Sequence, residues 1–350
     1  MEVPKPIKSL QYEAMRRTLV LPPRVSQRMF GAPPVNDRGT ALDTQAHTLL
    51  SLIKATKQPE LHTLTVRRAR EVYDEATQTM DLKAPWEVKT YHGFVPGKRP
   101  VLYEVYRPHH VKSRNAPGIL FFHGGGFVIG SARGHAAIAK YIAHQTDSVV
   151  FNVDYSLAPE NPFPCGIEDC VAAFNHVVNQ HHSFGVDPKR LMVLGDSAGA
   201  TLSINVSQAQ VEAGRQTPYK QILFFPTTDA GPYASRELFG EGFFLSHELI
   251  NWFSNTYLGA SKFEIANDPR ALPRRFKRKS ELPSTYIVTC GFDPLRDEGE
   301  AYVKDLVKAG VDVHHHDAAD IIHGFITMGG VLNSAKTYID RALEHATSDL

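Results

Sequence analysis

The chain has 350 residues, with 38 Lys and Arg against 37 Asp and Glu and a formal charge of +1. So even a balance lacks the basic excess of a broad nucleic-acid binder. Hydrophobic residues make up 42% and charged residues 21%, which excludes a disordered chain and supplies a large core without disulfide staples.

The cysteines Cys165, Cys170 and Cys290 cannot build a disulfide framework, which points to a reducing, cytoplasmic setting. No run approaches the ~20 apolar residues that span a bilayer. Met1 to Leu10 holds two prolines and three charged residues and no apolar run, so it does not read as a signal peptide.

The first forty residues are proline-rich and read as irregular or briefly helical. Residues 43–56 and 61–79 follow with helical patterning; Leu61, Leu64, Ala69, Val72, Tyr73 and Ala76 recur at roughly helical spacing. Residues 86–92 and 101–106 alternate in the manner of strands, and the turn Pro96-Gly97 between them predicts a hairpin. Short apolar runs come next: Gly118–Phe122, Val149–Asp154, Leu191–Leu194, Ile222–Phe225, Tyr286–Cys290 and Val311–His315. Helical segments at 134–146, 166–181, 198–213 and 296–309 separate them, which predicts an α/β architecture with a mostly parallel sheet covered on both faces. Residues 232–260 break this rhythm with an aromatic helical segment. We expect two regions: residues 1–80 as an N-terminal helical cap segment, and residues 81–350 as a catalytic domain with a cap insertion at about 232–260.

Gly195-Asp196-Ser197-Ala198-Gly199 follows an apolar strand and precedes a helix. That is the strand–turn–helix context of a nucleophile elbow, where small residues on both sides of Ser197 leave room for a strained turn. Ala198 opens the helix, so its N–H has no intrahelical acceptor. His123-Gly124-Gly125-Gly126 follows another strand, and its glycines let backbone N–H groups face a reacting oxygen. A phosphate loop would need Gly-Lys-Ser/Thr, which is absent there. His123 itself reads as a brace for the loop. A serine nucleophile needs a base, and the base needs an orienting carboxylate. Asp293 stands just past the strand Tyr286–Cys290, and His323 follows the next one. Asp297 is the rival acid but falls inside the following helix.

These segments together, HGGGF at 123–127, DYSLAPE at 154–160, GDSAG at 195–199, DPLRDEG at 293–299 and HGF at 323–325, resemble the hormone-sensitive-lipase-like family of α/β-hydrolases, and its bacterial carboxylesterases in particular. The motifs run in family order over about residues 86–345. One position departs: the third residue of DYSLAPE, usually Arg, is Ser156. The resemblance implies the α/β-hydrolase fold and a Ser-His-Asp triad of Ser197, His323 and Asp293. It also implies an oxyanion hole of the Gly125, Gly126 and Ala198 N–H groups. The implied activity is hydrolysis of short to medium acyl esters through an acyl-enzyme, with no metal or organic cofactor.

Phe127, Phe243, Phe244 and Trp252 are candidates to line an apolar acyl pocket, with core packing as the alternative for each. His314-His315-His316 lies on a strand, where successive side chains alternate faces and cannot converge on one metal ion. His181-His182 reads as a helix end, and the basic run 274–279 as a solvated connection. The expected partner is a small-molecule ester, without nucleic acid or stable membrane insertion, in a monomer or homodimer. An amidase or deacetylase of a small acylated metabolite keeps the same mechanism, and a non-catalytic small-ligand receptor keeps only the fold. A lipase working at an oil–water interface would want an amphipathic surface helix, which the sequence does not offer.

Overall fold

The computed structural model describes residues 13–259, 265 and 267–350. Residues 1–12 and 260, the outer limits of the expected cap segments, lie outside the described residues.

Eight strands form one sheet: β1 (Val88–Val95), β2 (Val101–Pro108), β3 (Ala116–Phe122), β4 (Val149–Asp154), β5 (Val186–Asp196), β6 (Lys220–Phe224), β7 (Ser284–Phe292) and β8 (Val313–Ile322). Their order is β1-β2-β4-β3-β5-β6-β7-β8. β1 and β2 form the expected antiparallel hairpin, β2 is antiparallel to β4, and every later pairing is parallel. Parallel strands need long crossovers, and helices over 136–145, 165–179, 198–212 and 296–308 supply them.

The apolar runs read as strands because both faces of the sheet are covered. In β3, Ile119 and Phe121 join one core with Met192, Leu194, Ile222 and Phe224. Leu120 and Phe122 join the opposite core with Val149, Phe151, Leu191 and Val193. All four β3 side chains are fully buried, so period-2 alternation places hydrophobic residues on both faces.

β5 and β8 extend furthest beyond their apolar runs. β5 begins at Val186, which pairs with Ala116, and passes through the polar Asp187-Pro188-Lys189-Arg190. β8 continues to Ile322 through Asp317 and Asp320, as an edge strand with one open side permits. The three histidines of β8 alternate as expected. His314 stacks on Tyr286 and His316 meets the Tyr286 hydroxyl at 3.1 Å, whereas His315 faces Thr289 Oγ1 at 2.8 Å. Among the described residues no cluster of three or more metal-ligating side chains forms, and no helix is long and apolar enough to cross a membrane.

Above the sheet, the helix Val66–Met80 and the helix His247–Leu258 share an apolar cluster with the loops that follow β3 and β4. Ala69 and Tyr73 meet Val128, Ile129, Ala158, Trp252, Phe253 and Tyr257 there. Arg70 fastens the first helix down: Nε donates to the Val128 carbonyl, Nη2 to the Ala158 carbonyl, and the guanidinium pairs with Glu160. Thr65 and Ser246 accept backbone N–H groups at the N-termini of these helices. The earlier helix Thr44–Thr56 packs Ala46 and Leu49 into the main core instead.

Candidate active site

Four loops leave the sheet at one edge, because β3, β5, β7 and β8 run parallel. They begin at His123, Ser197, Asp293 and His323. Residues more than a hundred positions apart therefore share one rim, the usual place for a site in an open α/β sheet.

Ser197 lies between β5 and the helix Ala198–Glu212 with φ 52° and ψ −120°, a backbone conformation that costs a non-glycine residue of order 1–3 kcal/mol. The neighbouring glycines make the turn possible. A Cβ on Gly195 would collide with the Gly199 backbone, and one on Gly199 with the carbonyl of Phe122. The Ser197 N–H donates to the Phe224 carbonyl at 2.9 Å, which ties the elbow to β6.

His323 Nε2 stands 3.0 Å from Ser197 Oγ. His323 Nδ1 is 2.7 Å from Asp293 Oδ2. The other Asp293 oxygen, Oδ1, accepts the Leu295 N–H at 2.8 Å. Both Asp293 and His323 are buried. With Nδ1–H donating to the carboxylate, Nε2 is left as an acceptor facing the hydroxyl. Asp297 points elsewhere, toward Arg296 Nε and the Ser235 N–H, each at 2.9 Å.

The glycine loop approaches from β3. Gly125 has φ 119° and Gly126 φ 59°, both open to glycine and strained for other residues. The Gly125 carbonyl accepts the Val128 and Ile129 N–H groups, closing the loop on itself. His123 is fully buried, and its Nδ1 donates to the Gly124 carbonyl at 2.7 Å. Burial pushes its pKa down to about 4, so it is neutral at physiological pH. The Tyr155 ring stacks on His123, and the Tyr155 hydroxyl donates to the His123 carbonyl.

The four aromatic pocket candidates have different neighbours. Phe127 stacks on Tyr257 with ring centroids 4.1 Å apart. Phe243 packs against Phe239 and Phe292, and Trp252 against Phe253. Phe244 lies beside Gly324, next to His323. Two further rings border the triad and the glycine loop. Phe225, with φ 39°, tilts against His323 at 4.7 Å between centroids. A Cβ on Gly126 would land on the Phe253 ring. In the sequence Phe225 ends an apolar run and Phe253 sits in the aromatic segment expected as cap, and neither stands out there as a site residue. At Ser156, where the motif departs from its usual form, the backbone N–H donates to Asp169 Oδ2; the guanidinium on that carboxylate comes from Arg99.

A family model described as the alpha/beta hydrolase fold matches residues 119–327, more than half of the chain. Esterase LipI of Mycobacterium tuberculosis is 36% identical over 232 residues, 65% of this chain and 71% of LipI. Carboxylic ester hydrolase LipN of the same organism is 41% identical over 220 residues, 61% of this chain and 58% of LipN. Among solved structures, the ester hydrolase EH1AB1 from the Lake Arreo metagenome, complexed with a bipyridine phosphonate derivative, is 34% identical with a TM-score of 0.84. That match covers 88% of this chain and 98% of EH1AB1. Sheet order, rim geometry and these relatives agree: the chain belongs to the hormone-sensitive-lipase-like family of α/β-hydrolases, a family of carboxylic ester hydrolases.

Proposed function

We propose that this chain hydrolyses carboxylic esters of short to medium acyl chains through an acyl-enzyme on Ser197. The observation that carries the reading is the chain of contacts from Asp293 through His323 to Ser197, at 2.7 and 3.0 Å, on three loops far apart in sequence.

His323 Nε2 takes the Ser197 proton as Oγ attacks the ester carbonyl carbon. The charge that develops on the carbonyl oxygen meets the N–H groups of Gly125, Gly126 and Ala198, where one such donor contributes on the order of 10²–10³ in rate. Asp293 holds the imidazole in the useful tautomer and stabilises the imidazolium. The C–O bond to the alcohol breaks, and the alcohol leaves with the proton from Nε2. Water then enters and loses a proton to Nε2 as it attacks the acyl carbonyl. The Ser197–acyl bond breaks, and Ser197 recovers its proton as the acid leaves.

In this reading the helices Val66–Met80 and His247–Leu258 form the cap over the rim, and Phe127, Phe243, Phe244 and Trp252 belong to the wall that selects the acyl group. The thiols of Cys165, Cys170 and Cys290 are unpaired, in keeping with a cytoplasmic setting. Ser197→Ala tests the proposal. Its kcat on a small chromogenic ester should fall by ~10⁶, and turnover near the wild-type value would refute the nucleophile.

A further inference from the structure

Asp196, the residue before the nucleophile, has no part in the proton transfers above, yet it is buried at the centre of the site. Its Oδ1 accepts the Gly124 N–H at 2.9 Å. The approach is close enough that a Cβ on Gly124 would collide with the Asp196 carboxylate. This bond joins two separate pieces of backbone. Gly124 immediately precedes Gly125 and Gly126 on the loop after β3, whereas Asp196 ends β5, two residues before Ala198. The oxyanion donors are split between the same two pieces.

We propose that Asp196 is a positioning residue whose carboxylate holds the glycine loop in register with the elbow, so that the Gly125, Gly126 and Ala198 N–H groups converge on one oxygen. The inference rests on the acyl-transfer reading given above and adds a residue to it.

Other titratable groups surround the Asp196 carboxylate. Tyr73 from the helix Val66–Met80, Asp81 just beyond it, Tyr155 after β4 and His323 after β8 all interact electrostatically with Asp196. Among these, His323 brings a positive charge, and it does so when it takes the serine proton. Burial pushes the Asp196 carboxyl up to about 7, opposed by the Gly124 N–H and by His323.

Asp196→Ala and Asp196→Asn separate positioning from folding. Competent sites are counted by titration with a serine-reactive organophosphonate, and kcat and KM for a chromogenic acetate ester are expressed per titrated site. Asp196→Ala loses the acceptor for Gly124, so kcat per site should fall about tenfold or more, with KM changed less than about threefold. Asp196→Asn keeps an amide oxygen for Gly124 and should recover most of that kcat. An Asp196→Ala enzyme with wild-type kcat per titrated site would overturn the proposal, because the loss would then lie only in the number of folded molecules. An Asp196→Asn enzyme whose kcat per titrated site fell about tenfold or more, although its amide oxygen can still accept the Gly124 N–H, would overturn it too, and decides alone if the alanine variant does not fold. Failure of the acyl-transfer reading looks different: the wild-type enzyme itself would not label at Ser197.

Discussion

Arg296 grips Asp37 with both terminal guanidinium nitrogens, at 2.7 and 2.9 Å, across 259 residues of chain. The same guanidinium reaches Asp297 with Nε and the Gly291 carbonyl with Nη1, and lies over the Phe239 ring. A turn from the first forty residues is thereby tied to the loop that carries Asp293. The Arg296 side chain is 1% exposed, whereas that of Asp37 is 36% exposed.

Asp37→Ala strands a buried guanidinium that keeps one carboxylate partner, Asp297. Breaking a fully buried pair costs about 3–5 kcal/mol, and the open side of Asp37 brings the expected loss down to about 2 kcal/mol. Urea unfolding checks it. Stability within a few tenths of a kcal/mol of wild type would mean that the strap contributes nothing.

Gly126→Ala places a methyl group on the Phe253 ring at a backbone φ of 59°. The loop must shift and the proposed oxyanion donor of Gly126 moves with it, so kcat should fall by about 10²–10³. Adding Phe253→Ala removes the collision but not the backbone strain. The double variant should therefore recover part of the loss. Recovery to the wild-type rate would mean that the ring alone forbids a side chain there, and no recovery would mean that φ alone does.

The strands were legible wherever burial on both faces forced continuous apolar runs, as in β3 and β4. The glycines of the elbow were legible because the approach of β3, β5 and the following helix excludes any Cβ. Other features were hidden for physical reasons. Pro188 masks the start of β5, since proline argues against a strand interior. Asp317 and Asp320 interrupt the apolar pattern of β8, which an edge strand tolerates. Trp252 and Phe253 are adjacent in one helix, and sequence does not say which ring meets the glycine loop. Asp37 sits in an Asn-Asp-Arg-Gly turn that explains itself locally, so nothing there points to Arg296.

His135 makes the fold sensitive to acid. It is fully buried and stacked near His123, and burial pushes its pKa down to about 3, with His123 adding to the effect and the Ser131 carbonyl opposing it. In an unfolded chain the imidazole titrates near 6.5. Between those values the unfolded chain holds a proton that the folded chain refuses. Stability is therefore lost as pH falls through this window, at about 1.4 kcal/mol per pH unit for one proton. His135→Phe removes that proton uptake. The unfolding free energy of the variant relative to wild type should be constant above pH 7 and rise as pH falls from 6.5 to 5. A difference that stays level across pH 8 to 5 would show that His135 is not held neutral by burial.

The most direct measurement is covalent. A serine-reactive organophosphonate is added to the intact enzyme, ester hydrolysis is followed to completion of inhibition, and the adduct is located by peptide mass spectrometry. One adduct per chain on Ser197, rising in step with the loss of activity, is the predicted result. Complete inhibition with the adduct elsewhere, or full activity with Ser197 modified, would contradict it.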